Sequence, residues 1–242
     1  MKQKVSVILP VYNESKYISD IFREIADFSR KNPDFDFIFV DDGSKDRTKI
    51  ILQNRIKESG NNIKLISYNP NKGKGYAIKK GIEMAEGEHI CFTDGDLAYS
   101  PEYLKDFSRK LEESDMVIGW RPPLSENLKN TKGIRKLAGK IFNFFSRAIL
   151  QLNYRDMQAG IKGFRKPAAR YLFSKNKING WSFDAEIIFL ASKRGYSISQ
   201  IPVKVSESNL KMKSQVSLVR DSIKMFISLL KIRFNYLLGK YE

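Results

Sequence analysis

The constraint that most limits how this chain can fold is a repeated alternation of two hydrophobic periods. Short β-branched and aromatic runs, each closed by turn residues, are followed by stretches of helical period. "KVSVILP" and "FDFIFVDD" open the series, and Ile63 to Tyr68, Glu88 to Thr93 and Met116 to Gly119 continue it. Between them the spacing predicts helices, among them one from Lys74 to Met84 and one opened by "SPE", where Ser100 caps and Pro101 takes the first turn. Strand and helix in strict succession imply an α/β fold, a mainly parallel sheet flanked by helices on both faces. Ligands are then expected beyond the carboxyl ends of the strands.

After Arg121 the character changes. "PPLSENLKNTKG" is a polar, proline-containing loop of the kind that forms a lid, and a long helix is predicted over 134–152. Farther on come a short helix near Pro167 to Phe173, a helix near Asp184 to Arg194 and a strand in "YSISQIPVKV". No internal repeat divides the chain, so one domain over 1–210 is expected, followed within 211–242 by a helix. That helix carries Leu218, Ile223, Phe226, Ile227, Leu230, Phe234 and Leu237 at helical spacing, with Lys224, Lys231, Arg233 and Lys240 interspersed. It reads as a basic amphipathic helix that packs on the domain or on a membrane surface.

Charge narrows the partners. The chain has 43 Lys and Arg against 27 Asp and Glu, a net +16, which favours anionic partners: nucleic acid, a nucleotide or an acidic membrane surface. The single cysteine, Cys91, lies in an apolar run, reads as a core residue and suits a reducing, cytoplasmic setting. The opening "MKQKVSVILPVYNES" is too short in apolar residues for a signal peptide, and no segment reaches the roughly 18 apolar residues of a membrane span. The only histidine, His89, has no partner at catalytic spacing and reads as structural, which disfavours nucleophilic hydrolase chemistry.

Against this basic background, "TDGDL" sets Asp94 and Asp96 two positions apart, on one side of an extended chain, with Gly95 between them allowing close approach. Two converging carboxylates suit Mg²⁺ or Mn²⁺ rather than zinc, and such an ion commonly bridges to the phosphates of a nucleotide. The same residues also suit a solvated Asp-Gly turn. In "VDDGSKDRT" only one of Asp41 and Asp42 can face a pocket while the other ties down the turn, and Asp46 and Thr48 suit a helix cap. "NKGKGYAIKKG" fits neither the P-loop nor the dinucleotide pattern, and its Lys74 opens a helix that either approaches a diphosphate or forms a plain turn. "YRDMQAGIKGF" presents Asp156 and Gln158 among cations, and Arg121 and Arg135 flank the lid loop where phosphates could meet them.

Taken in order, "VILPVYNE", "VDDGSKDRT", "NKGKGYAIKKG", "TDGDLAYSPE", "VIGWR", "DMQAGIKGF" and "WSFDAEII" resemble family 2 glycosyltransferases of the GT-A fold, in the branch holding dolichyl-phosphate mannose synthase and dolichyl-phosphate glucosyltransferase. The resemblance implies that Pro10, Tyr12, Glu14, Val40 and Asp42 hold the base and ribose of a UDP- or GDP-hexose. It implies that Asp94 and Asp96 bind metal and diphosphate, that Arg121 lies near the donor or acceptor phosphates, and that Gln158 is the glutamine of a "DTQxG"-like segment. Asp184 and Glu186 belong to the same pattern. Mannose synthases often carry a glutamine where Ala98 stands, so water or phosphate oxygens must complete the coordination here. Many members carry transmembrane helices after the catalytic domain, and membrane contact is expected here to be peripheral, on the cytoplasmic face.

The chemistry that follows is inverting transfer of a hexose to polyprenyl or dolichyl phosphate. A lipid monophosphate, with a second pKa of about 6, is already a nucleophile at neutral pH and needs no general base. A glycan hydroxyl acceptor would need one, and Asp156 is the candidate. A sugar nucleotidyltransferase is a further alternative, although "PVYNES" stands where its glycine-rich signature belongs. A nucleic-acid binder would account for the charge alone, and no nucleic acid is expected as a partner.

Overall fold

The structure is a computed structural model that describes residues 3–59, 62–122, 144–206 and 218–242. Its strands are β1 (Val5–Val11), β2 (Phe35–Asp41), β3 (Ile63–Ser67), β4 (His89–Phe92), β5 (Met116–Trp120), β6 (Lys162–Arg165) and β7 (Ile198–Pro202). Its helices are α1 (Ile18–Lys31), α2 (Thr48–Ser59), α3 (Lys74–Met84), α4 (Tyr103–Lys110), α5 (144–150), α6 (Lys166–Lys175), α7 (Phe183–Arg194) and α8 (Leu218–Leu237). Among the described residues the strands form one sheet in the order β3-β2-β1-β4-β6-β5-β7.

Strand periodicity explains why both faces are covered. Along β2, Phe37 and Phe39 join one core layer with Phe22, Ile25, Cys91 and Phe107, while Ile38 and Val40 join the other with Ile8, Ile78, Leu172 and Phe189. Neighbouring residues thus feed opposite layers, one under α1 and α4 and one under α3, α6 and α7. His89 is buried against the Ser108 hydroxyl, 3.0 Å from its Nδ1, and Cys91 is wholly inside, where burial pushes its thiol up to about 12.

The sheet is parallel except at β6. This strand, absent from the periodic pattern, runs antiparallel to both β4 and β5, with Lys162 opposite Phe92 on one side and Ile118 on the other. Its first residue is a fully buried lysine. The Lys162 ammonium donates to the Ala159 carbonyl at 2.8 Å and pairs at 2.6 Å with Asp184 in the first turn of α7.

Helix limits agree with the sequence spacing to within a residue or two, except that α4 starts at Tyr103. Ser100 and Pro101 form a preceding turn, with the amides of Tyr103 and Leu104 donating to their carbonyls at 3.1 and 3.0 Å. The lid loop and most of the helix expected over 134–152, Arg135 included, lie outside the described residues; α5 is the part that is described. On α8, Leu229 and Ile232 are buried against the domain, and the hydroxyl of Tyr241 just beyond it donates to Glu186 Oε1 at 2.6 Å.

Removing one member of a buried ion pair strands the other charge. Lys162→Met should therefore destabilise the protein by about 3–5 kcal/mol, and adding Asp184→Leu should recover at least half of that loss. Urea unfolding followed by circular dichroism measures both.

Candidate active site

The antiparallel register of β6 assembles the site. Residues just before Lys162 must lie beside those just after Phe92 and just after Ile118, so the "DMQAG" segment meets both "TDGD" and Arg121. Arg121 grips Asp156 through Nε at 2.6 Å and Nη2 at 3.2 Å, and its backbone amide reaches the same carboxylate at 3.3 Å. The Gln158 amide adds a fourth donor at 2.9 Å. Burial works against the Asp156 charge, but the Arg121 pair and the Gln158 amide outweigh it and hold the carboxyl below the usual aspartate range. Gly160 is the closest point of approach, because a Cβ there would come within 1.9 Å of Asp94 Oδ2.

Asp94 and Asp96 follow β4 in a tight turn. The Leu97 amide donates to the Asp94 carbonyl at 3.0 Å, the Ala98 amide donates to Asp96 Oδ1 at 3.0 Å, and Leu97 between them has φ 51. A buried leucine in the left-handed region is strained, which shows how firmly the surroundings dictate this turn. Gly95 is required by the protein itself: a Cβ there would lie 2.1 Å from the Pro10 carbonyl, so the end of β1 fills the space the sequence suggested for a ligand.

A cation already pairs with the first of the two aspartates. Lys74 Nζ lies 2.5 Å from Asp94 Oδ1, with the two side chains only 13% and 28% exposed. Burial disfavours the Lys74 ammonium, and Asp94, Asp184 and Asp96 more than offset it, raising its pKa above the ordinary lysine value. Burial, then repulsion from Asp94, raises the pKa of Asp96. Lys74 also sits over the Trp181 ring, 5.6 Å from its centroid. Asp94 and Asp96 are the carboxylates here that could hold a divalent ion; among the described residues no cluster of three or more His, Cys, Asp or Glu is suited to one.

The wall beside them is built from cross-braced loops. Thr48 and Asp46 accept from the Glu14 and Ser15 amides at 2.8 and 3.0 Å, and the Asn13 side chain accepts from the Lys45 amide at 2.8 Å. The capping roles expected of Asp46 and Thr48 are thus extended to bracing the β1–α1 loop. Both Asp41 and Asp42 tie down loops, where the sequence expected one to face a pocket. Asp41 accepts from the Ser44 amide and the Ser67 hydroxyl. The Asp42 carboxylate accepts four hydrogen bonds of 2.8 Å, from Tyr68, Asn71, Lys72 and Gly73. Pro10, Tyr12 and Glu14 are half-buried along the rim. Val40 is fully buried and supports this wall from behind, so its side chain does not line it.

The profile of Glycosyl transferase family 2 matches residues 6–173. The chain belongs to that family. It is 32% identical over 255 residues to a dolichyl-phosphate beta-glucosyltransferase of Dictyostelium discoideum, covering 98% of this chain and 76% of the relative. A dolichyl-phosphate beta-glucosyltransferase of Saccharomyces cerevisiae is 29% identical over 263 residues, with coverage of 98% and 76%. Among solved structures, glucosyl-3-phosphoglycerate synthase of Mycobacterium tuberculosis bound to UDP superposes with a TM-score of 0.69 at 19% identity, covering 96% of this chain and 80% of that one. Mannosyl-3-phosphoglycerate synthase of Rubrobacter xylanophilus gives 0.68 at 18% identity, with coverage of 98% and 76%. The fold is GT-A and the protein is a nucleotide-sugar glycosyltransferase, which sets aside the nucleotidyltransferase reading.

Three residues of the site are not singled out for their role by sequence spacing: Gly160, Lys162, which the spacing groups with the cations around Asp156 and Gln158, and Trp181. The order of charges along "GIKGF" and "SFDAE" was the available signal for the Lys162 pair.

Lys74 occupies Asp94 and would compete with a metal held there, so Lys74→Met should raise Mn²⁺ affinity measured without nucleotide. The expected size is roughly tenfold, a modest fraction of a full charge–charge term at this range. Electron paramagnetic resonance titration of free Mn²⁺ reads this directly, and the same variant should bind UDP more weakly.

Proposed function

We propose that this protein transfers glucose from UDP-glucose to polyprenyl phosphate at a membrane surface, with inversion at the anomeric carbon. The observation that carries the reading is the engagement of Asp156. A hydroxyl acceptor needs a base able to take its proton, whereas the Asp156 carboxylate receives three hydrogen bonds from Arg121 and one from Gln158 and has a lowered pKa. The only histidine is buried against Ser108. A phosphate arrives already ionised, so no proton has to be moved before attack.

Asp94 and Asp96 fit a hard divalent ion: they are two nearby carboxylates, Asp94 already pairs with the Lys74 ammonium, and Asp96 has a raised pKa. When bound there, Mg²⁺ or Mn²⁺ would supply neutralisation of the departing diphosphate. Lys74 adds a positive charge to the same diphosphate. Pro10, Tyr12 and Glu14 hold the base and ribose along the loop wall that Asp42 fixes, and Gln158 secures Asp156 through its backbone amide. Arg121, oriented by Asp156, receives the acceptor phosphate.

The relatives' names, dolichyl-phosphate beta-glucosyltransferases, support glucose and a lipid phosphate. So does the outer face of α8, where Ile227, Leu230, Phe234 and Leu237 are 57%, 48%, 61% and 68% exposed. Lys231 and Arg233 border the same patch. No described helix is long and apolar enough to cross a membrane. The helix lies peripherally against an anionic bilayer, each basic residue near the surface adding about 1 kcal/mol.

The test offers UDP- and GDP-hexoses with and without polyprenyl phosphate, in Mg²⁺ or Mn²⁺, and assays lipid-linked sugar. Product is expected from UDP-glucose with the lipid phosphate; transfer only to a free glycan would overturn the reading. Asp94→Asn and Asp96→Asn should each lower kcat by roughly 10²- to 10³-fold, the scale of losing one preorganised electrostatic group. Asp156→Asn should raise the KM for the acceptor by loosening Arg121 while leaving the shape of the pH–rate profile intact, where a general base would lose its acid limb.

A further inference from the structure

We propose that Trp181, with Phe226 and Phe145, forms the strip on which the first isoprene units of the acceptor lie; the inference rests on the polyprenyl phosphate reading above. Trp181 is 42% exposed at the edge of the reacting centre. Its ring faces the Lys74 ammonium at 5.6 Å, and that ammonium is 2.5 Å from Asp94.

The ring is held in place by its loop. The amides of Lys177 and Ile178 donate to the buried Glu186 carboxylate, the latter at 2.8 Å, and the Asn179 carbonyl accepts from the Gly75 amide at 2.8 Å. The two glycines of "GKG" therefore receive this loop against the start of α3, a use the sequence did not suggest. A Cβ on Gly73 would sit 2.6 Å from the Asn179 carbonyl oxygen, and one on Gly75 would sit 2.7 Å from Phe183 Cβ.

Beyond Trp181 the chain leads to α8, which carries further aromatic rings. The next residue, Ser182, has its hydroxyl 3.5 Å from the Met225 carbonyl of α8. Phe226 follows, 37% exposed, and its ring meets Phe145 of α5 edge-on at 5.2 Å. Phe145 in turn meets Phe144, which is 67% exposed, at 5.7 Å. One end of this strip is the cationic centre, and the other is the edge of the apolar outer face of α8. An amphiphile with an anionic head and a branched, unsaturated tail matches both ends at once. A hexose matches only the first, and a bilayer only the second.

The experiment uses phosphate esters of one, two and three isoprene units as acceptors in detergent-free solution, with UDP-glucose and Mn²⁺. For the wild type, kcat/KM should rise with each unit. Trp181→Ala and Phe226→Ser should flatten that rise, losing tenfold or more on the two-unit ester while the KM for UDP-glucose stays within twofold, and Trp181→Phe should restore most of it. Since the chain has two tryptophans, fluorescence of Trp181 in a Trp120→Phe background should be quenched by the two-unit ester in the presence of UDP. Unchanged length dependence together with lost vesicle co-sedimentation would overturn the proposal in favour of a bilayer contact. A raised KM for UDP-glucose in Trp181→Ala would overturn it in favour of a sugar platform. No lipid-linked product from the wild type with any ester would overturn the acceptor class itself, which separates that failure from failure of the strip.

Discussion

The site depends on one register: a short strand running the wrong way between β4 and β5. Had β6 been parallel, the residues preceding it would have emerged at the opposite edge of the sheet, far from the carboxyl ends where β4 and β5 deliver Asp94 and Arg121. Running antiparallel, it enters from the edge the other strands leave, and its lead-in "DMQAGI" is laid between theirs. The same register puts Lys162 into the sheet interior, where Asp184 answers it from α7. One backbone choice therefore fixes both the contacts of Asp156 and the identity of a buried charge pair.

The electrostatics of the centre follow from that placement. Positive and negative groups succeed one another: Asp184 meets Lys162 directly and influences Lys74, Lys74 meets Asp94, and Asp94 raises the pKa of Asp96. In a basic chain, buried or half-buried carboxylates are where cations can be stored without self-repulsion. Burial and the neighbouring Asp94 raise the pKa of Asp96, which pairs with no ammonium in the salt bridges among the described residues. Of the two carboxylates, Asp94 is the one that pairs with an internal cation.

Most of the scaffold was legible because it is periodic. β1, β2 and β4 are continuous apolar runs, α3 shows its limits in its spacing, and the C-terminal helix shows its two faces. β6 was not legible, since "KGFR" holds one apolar side chain, a glycine and two cations, and nothing in four such residues has a period. The site residues were legible as types and not as partnerships. Asp156 and Arg121 both stood out, yet their union depends on β6; Asp42 stood out, yet its oxygens are committed to a loop some thirty residues on. Val40 failed as a lining residue for the plain reason that alternation along β2 turns it into the core. Gly95 is expected from the sequence to admit a ligand, and it admits the end of β1 instead.

Glucosyl transfer to a lipid phosphate brings two anions together, the donor diphosphate and the acceptor, and their repulsion has to be overcome without a site that collects every anion in solution. Lys74 and Arg121 are each matched to a carboxylate, Asp94 and Asp156. A stray monovalent anion would have to compete with a preformed ion pair, and it gains little by doing so. On the proposed reading Asp94 and Asp96 would hold a divalent ion arriving with the diphosphate, and Lys74, no longer matched by Asp94, would be left to the phosphates. The acceptor phosphate gains instead from Arg121, which Asp156 keeps aligned. Paired cations thus act as a threshold for entry, and the bare surplus of basic residues elsewhere is free to serve the surface.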